Sequence, residues 1–217
     1  RFKERLLEPT VWITLAVSLL AYLLGSLSFA VIVSRVMGLN DPRSYGSHNP
    51  GATNVLRSGN KQAAVLTLLL DAAKGWLPVF AVQQWGAEYG MGAGTAALAA
   101  LGAFVGHLFP VFFRFQGGKG VATAAGVLFG VNAMLGLAVA LSWLIVAWFF
   151  RYSSLAALVA AVFAPVYYVF GGDVVWPYAE PLLGALIVMG LLLVWRHLDN
   201  INRLVAGTES KLGAKKK

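Results

Sequence analysis

The chain has no cysteine in its 217 residues and little charge, with 9 acidic and 17 basic residues making up 12% of the sequence. The missing cysteine excludes disulfides, thiolate metal sites and a cysteine nucleophile, so no acyl-thioester intermediate can form. The charge is far below the roughly 25% of ordinary soluble domains. With 59% hydrophobic residues and a mean hydropathy of +0.72, the chain belongs in a bilayer. Histidine is scarce, with only His48, His107 and His197 present. None is followed by aspartate in an H-x-x-x-x-D acyltransferase pattern, and no multi-aspartate motif of alcohol phosphotransferases occurs. With the acids scattered and no Cys or His cluster, no catalytic metal is indicated. The Walker spacing G-x-x-x-x-G-K-[ST] is also absent, which removes nucleotide hydrolysis. The net charge of +8 does not point to nucleic acid, because the bases sit in short loops beside apolar runs and no basic, aromatic-interleaved domain exists.

What is present is a series of uncharged runs long enough for the roughly 20 residues that cross a hydrocarbon core, such as Pro9 to Ser34, Tyr89 to Phe113 and Tyr152 to Gly172. The pattern predicts spans at 10–34, 62–84, 91–113, 121–131, 133–150, 154–172 and 177–195. The first is too long for a signal segment and is expected to be retained. Between Gly120 and Phe150 about 30 residues would make a helix of about 45 Å, against a core of about 30 Å, so the chain is expected to fold back near Asn132. With that reversal, 13 of the 17 Lys and Arg lie on one side, while the opposite loops at 83–90 and 172–180 carry acids and no bases. The positive-inside rule makes the basic side cytoplasmic. Arg1, Lys3 and Arg5 fall on the other side in this topology.

The polar residues are concentrated in three islands: Gly46 to Asn54, Gly117 to Thr123 and Arg196 to Arg203. The second opens into an apolar segment, where glycines let backbone amides approach an anion, a helix N-terminus adds free N–H groups, and Lys119 adds a point charge. That arrangement suits phosphate. A flexible turn with a positive-inside lysine is the plain alternative. The first island supplies hydroxyl and amide groups with no negative charge and is flanked by Arg35, Arg43 and Arg57, a setting for a dianion. Its turn signals Asp41-Pro42 and Asn49-Pro50 are equally those of an ordinary loop. In the third island His197, Asn200 and Arg203 share one face if the segment is helical, whether as a site or as a polar helix end.

Other conspicuous residues read as structural. Asp71 and Lys74 stand three apart inside the second span and are expected to pair or to face a polar cavity. His107, beside Pro110, reads as a hydrogen-bonded packing residue. Gly102 with Gly106 and Gly126 with Gly130 permit close helix packing. Trp12, Trp85, Trp176 and Trp195 fall near span ends, as in aromatic belts, and Glu209 is placed to pair with a loop arginine.

In this order the islands resemble the bacterial acyl-phosphate-dependent glycerol-3-phosphate acyltransferases, the PlsY family. The likeness runs from Ala21-Tyr22-Leu23-Leu24-Gly25-Ser26 through Gly46 to Arg57, Asp71-Ala72-Ala73-Lys74-Gly75, Gly106-His107 to Thr123, Arg196 to Arg203, and Gly207-Thr208-Glu209. One departure is His48, where the family's G-S-G-N pattern has glycine. The resemblance implies an all-α integral membrane protein, a bundle of seven transmembrane helices in one domain over 1–217, whose cytoplasmic loops form the active site. It implies transfer of a fatty acyl group from acyl phosphate to the sn-1 hydroxyl of glycerol 3-phosphate, giving lysophosphatidic acid and inorganic phosphate. This is the first committed step of bacterial phospholipid synthesis, at the inner membrane, with no cofactor and no obligatory protein partner. A membrane transporter of a small organic anion is the alternative, although no inverted repeat relates the two halves.

The residues carried over as catalytic are Ser47, Arg57, Lys119, His197 and Asn200. Those carried over as substrate- and phosphate-binding are Gly46, Asn49, Gly51, Thr53, Asn54, Gly117, Gly118, Gly120, Thr123 and Arg203. An acyl phosphate already holds a good leaving group, so alignment and charge stabilisation suffice and no covalent nucleophile is needed; Ser47 has no evident histidine–aspartate partners. The hydroxyl proton has two candidate acceptors, His197 and a substrate phosphate oxygen, and the substrate-assisted route is preferred, with His197 holding the acceptor. Lys119→Met is expected to lower turnover at least tenfold while the protein stays folded. Wild-type turnover by this variant at low substrate concentration would remove Lys119 from the clamp.

Overall fold

The computed structural model describes residues 8–213; Arg1, Lys3, Arg5, Lys215, Lys216 and Lys217 lie outside the described residues. Among the described residues ten α-helices follow in order: α1 Pro9–Gly25, α2 Phe29–Val36, α3 Ala52–Leu56, α4 Lys61–Trp85, α5 Ala93–Leu108, α6 Val121–Val131, α7 Ala133–Phe150, α8 Ser153–Phe170, α9 Glu180–Arg196 and α10 Leu198–Val205. No strand is present among the described residues, only an isolated bridge between Gly172 and Trp176. Asn60 caps α4 by accepting from Ala63 N at 2.9 Å, and Pro9 stands at the start of α1. Internal prolines, Pro78 in α4 and Pro165 in α8, do not end their helices.

Four helical segments are long and apolar enough to cross a membrane, and six if each bent pair counts as one span. The bent pairs are α1 with α2, at 42°, and α9 with α10, at 57°. The short α6, with 11 residues, completes the set of apolar segments at the expected positions. The reversal at Asn132 is present. Asn132 is extended (φ −161°, ψ 134°) and its side chain caps α7, accepting from Met134 N at 2.9 Å and Leu135 N at 3.3 Å. Across the turn, a Cβ on Gly136 would lie 2.9 Å from the Phe129 Cα. Seven residues along one continuous helix would be about 10 Å apart, so α6 and α7 form a hairpin.

The expectation of an unbroken first span needs correction. The helix stops at Gly25 and restarts at Phe29, leaving the Leu27 carbonyl outside any helical ladder. An unsatisfied carbonyl at membrane depth is costly. Lys74 supplies the donor, its Nζ meeting Leu27 O at 2.7 Å while standing 2.8 Å from Asp71 Oδ1 in an ion pair whose side chains are 1–2% exposed. No donor meets that oxygen with hydrogen-bond geometry, so the attraction is Coulombic. The expected Asp71–Lys74 pairing therefore exists, with the helix break as its second partner.

Small residues let the helices approach closely. A Cβ on Gly102 or Gly106 would strike the Ser18 or Tyr22 carbonyl of α1, and one on Gly126 the Ala72 carbonyl of α4. Val79, Phe104, Leu108, Val127, Met189 and Leu193 bury a core where α4, α5, α6 and α9 meet, directly beneath the glycine-rich loop. Lys74→Met strands Asp71 and uncaps Leu27, and is expected to destabilise the protein by about 3–5 kcal/mol. Asp71→Asn with Lys74→Met should recover part of that loss in denaturant unfolding from detergent, and equal losses in the two proteins would mean that the pair carries no interaction.

Candidate active site

The first loop is organised around Asn54, which is 2% exposed. Its Oδ1 accepts from Ser47 N at 3.0 Å and lies 3.4 Å from Arg57 Nη1, while its Nδ2 donates to Pro42 O at 2.6 Å and Tyr45 O at 3.1 Å. Asn54 is thus a brace with little capacity left for a ligand. Gly46, at φ 64°, turns beside it. His48 adopts φ 54°, the left-handed shape that favours glycine. It keeps this shape with an added bond, Nδ1–H donating to Arg43 O at 3.0 Å. Ser47, Thr53 and Arg57 are exposed and Asn49 and Gly51 half-buried. Arg57 Nη2 donates to Ser210 Oγ at 3.0 Å, and Thr53 Oγ1 lies 3.4 Å from Ser153 Oγ.

The second loop is held from several sides. Arg196 donates to Gly117 O at 2.9 Å and to Gly118 O at 3.2 Å, and Gly118 N donates to His107 O at 3.1 Å. Gly118 has no room for a Cβ, which would meet His107 Nε2 and Pro50 O; the first and second loops touch at this point. Gly120 takes φ 85° and leads into α6, whose Thr123 hydroxyl is buried against His107 Nδ1 at 3.1 Å. The Gly118 amide is therefore engaged, whereas those of Lys119 and Gly120 meet no backbone acceptor among the described residues.

Lys119 Nζ donates to Asn200 Oδ1. Asn200 Nδ2 donates to Glu209 Oε1 at 2.6 Å, and the same carboxylate accepts from Ser154 Oγ at 2.8 Å and Arg203 Nε at 2.7 Å. An ammonium only donates and a carboxylate only accepts, so the Asn200 amide has one permitted orientation. Burial, reinforced by the Arg203 charge, pushes Lys119 down to about 8. Burial alone would raise Glu209, but the bonds from Ser154, Asn200 and Arg203 hold its carboxyl below the ordinary range.

His197 sits at the corner between α9 and α10, with φ −104° and ψ 7°. It therefore shares a site with Asn200 and Arg203 without sharing their helix. Its Nδ1–H donates to Leu193 O at 2.8 Å. This bond leaves the Nε2 lone pair free. Burial pushes the imidazole down to about 4.

The islands thus converge: Pro50 on Gly118, Arg196 on Gly117 and Gly118, and Lys119 on Asn200. Glu209 pairs with an arginine, but with Arg203 of α10 and not with a loop arginine as expected, and its role in joining Asn200, Arg203 and Ser154 was not foreseen. Neither were the Arg196 contacts, whose only signal was a basic helix end.

A family model described as glycerol-3-phosphate acyltransferase matches residues 15–207. Among curated relatives, a glycerol-3-phosphate acyltransferase of Albidiferax ferrireducens is 63% identical over 216 residues, covering 99% of this chain and 96% of the relative. One from Burkholderia pseudomallei is 64% identical over 197 residues, covering 91% and 94%. Two solved structures of PlsY, an integral membrane glycerol 3-phosphate acyltransferase, superpose on the chain. The glycerol 3-phosphate form has a TM-score of 0.84, with 39% identity over 92% of this chain and 96% of that one. The lysophosphatidic acid form has a TM-score of 0.81, with 39% identity over 92% and 95%.

The His197 environment has a pH signature. Its folded midpoint of about 4 lies below the ordinary 6.5, so between these values the unfolded chain binds a proton that the folded one does not. The stability held above pH 6.5 is therefore expected to fall as pH drops through that window. NMR titration of labelled histidine in the ligand-free protein should find one ring neutral to about pH 5, absent in His197→Gln. A midpoint at or above 6.5 would mean that the ring is solvated or anion-paired.

Proposed function

The chain belongs to the glycerol-3-phosphate acyltransferase family and is an integral membrane enzyme; on that premise we propose that its acyl donor is acyl phosphate and its product lysophosphatidic acid. The observation that carries this reading is the meeting of Lys119, on its glycine loop, with Asn200 beside His197, while Gly118 touches Pro50 of the Arg57-bearing loop. Two phosphorylated substrates repel each other, and a reaction between them needs cations on both sides. Arg57 faces from the first loop, Lys119 from the second and Arg203 from the third.

The sn-1 hydroxyl oxygen attacks the acyl carbonyl, the bond from that carbon to the phosphate oxygen breaks, and inorganic phosphate leaves with the electron pair. Lys119 and Arg57 stabilise the charge that develops on the phosphate and the carbonyl oxygen, with the Ser47 hydroxyl beside them. The glycines at 117, 118 and 120 shape the clamp, Thr123 fixes its far end, and Gly46, Asn49, Gly51, Thr53 and Asn54 shape the first loop. Asn200 and Arg203 hold the glycerol 3-phosphate side. A neutral His197 with a midpoint of about 4 is a weak base at neutral pH, which supports transfer of the hydroxyl proton to a substrate phosphate oxygen, whose second pKa is about 6. Its Nε2 lone pair then orients the hydroxyl. The single domain over 1–217 is inserted in the bacterial inner membrane with this site on the cytoplasmic side, a placement supported by the concentration of Lys and Arg on the island side.

Purified protein in a lipid-like medium, given palmitoyl phosphate without ATP or added metal, is expected to release phosphate only when glycerol 3-phosphate is present, with matching lysophosphatidic acid. No release from demonstrably folded protein would overturn the acyl-phosphate reading and bring back the anion transporter.

A further inference from the structure

His107 is buried at the end of α5 and by sequence reads as a packing residue. Its contacts bracket Lys119. On the near side of the lysine, the His107 carbonyl accepts from Gly118 N at 3.1 Å and the ring edge at Nε2 fills the space where a Gly118 side chain would stand. On the far side, ring Nδ1 meets the Thr123 hydroxyl at 3.1 Å. From within the membrane Asp71, paired with Lys74, faces the ring, its Oδ1 standing 3.7 Å from Nδ1 without a hydrogen bond. The same Gly118 position abuts Pro50 of the first loop, so a displaced imidazole would move Lys119 away from Asn200 and separate the first two islands together.

We propose that His107 is a positioning residue for the acyl transfer, setting from below the height and register of the loop that presents Lys119; this rests on the function proposed above. His107 touches no substrate in this assignment and exchanges no proton. Asp71 and Lys74 lie on the membrane side of the ring as charged neighbours. A misplacement of about 1 Å in an alignment-dependent reaction is enough to lose up to about a hundredfold in rate.

The test is a double-mutant cycle on lysophosphatidic acid formation, with wild type, His107→Ala, Lys119→Met and the double variant, all checked for folding by thermal midpoint and monodisperse elution. If His107 acts through Lys119, His107→Ala should lower kcat/KM by about tenfold or more when Lys119 is present and by less than about twofold in Lys119→Met. His107→Asn, which keeps a polar group for Thr123, should recover part of the loss. Equal losses in both backgrounds, or wild-type activity in folded His107→Ala, would overturn the assignment and leave a packing histidine. If His107→Ala does not purify folded, Thr123→Val carries the same cycle, since it removes only the hydroxyl that meets the ring. A wild-type protein that makes no lysophosphatidic acid defeats the proposed function itself, and this is seen before any variant is compared.

Discussion

Hydrocarbon solvates no bare polar group, and this constraint arranges nearly everything else in the molecule. It forces the backbone into helices and makes each interruption find an internal partner. The gap between α1 and α2 frees the Leu27 carbonyl, and the Lys74 ammonium occupies it. That ammonium in turn needs Asp71, and Asp71 draws His107 and, through it, Thr123 into one buried polar chain. What begins as compensation for a broken helix ends under the loop that carries Lys119. The remaining arginines and lysines among the described residues lie in the loops and toward helix ends.

The site gathers like charges on mostly neutral partners. Arg57 rests on the Ser210 hydroxyl, Arg196 on two glycine carbonyls, and Lys119 on the Asn200 amide oxygen. Of these four cations, among the described residues, only Arg203 has a carboxylate, Glu209, while Arg43 at the edge of the first island pairs with Asp41. Most of the partners are neutral acceptors, which offer geometry without cancelling charge. The incomplete compensation is visible in Lys119, whose burial and whose neighbour Arg203 weaken its hold on the proton. Under the proposed function, an arriving phosphate would reverse that balance, and the free energy it recovers would be available for binding.

The apolar segments were legible because twenty-residue runs and positive-inside charge leave little choice. The reversal at Asn132 followed from length alone, since Gly120 to Phe150 is too long for one crossing. The break at 26–28 was not legible: Ser26-Leu27-Ser28 is as compatible with a helix as its neighbours, and its partner Lys74 lies 47 residues away. Within the site, the islands and their cations could be read from composition. The partition of labour inside them could not, because Asn54 looks like any loop donor until its four contacts show it bracing the loop. Likewise, Ser154 opens an apolar helix and carries no mark of its bond to Glu209. At His48 the departure from glycine keeps the left-handed backbone and adds a bond to the Arg43 carbonyl.

The hairpin of α6 and α7 is unequal, with 11 residues against 18. Both helices start from the turn at Asn132, and at about 1.5 Å per residue the Gly120 end stops about 10 Å short of the Arg151 end. The glycine loop is therefore set back along the hairpin from the Arg151 end of α7. Under the acyl-phosphate reaction proposed above, that setback would let the chain of an energy-rich mixed anhydride stay among the lipids while its head meets the loop, and would keep water, the commonest competing nucleophile, scarce there.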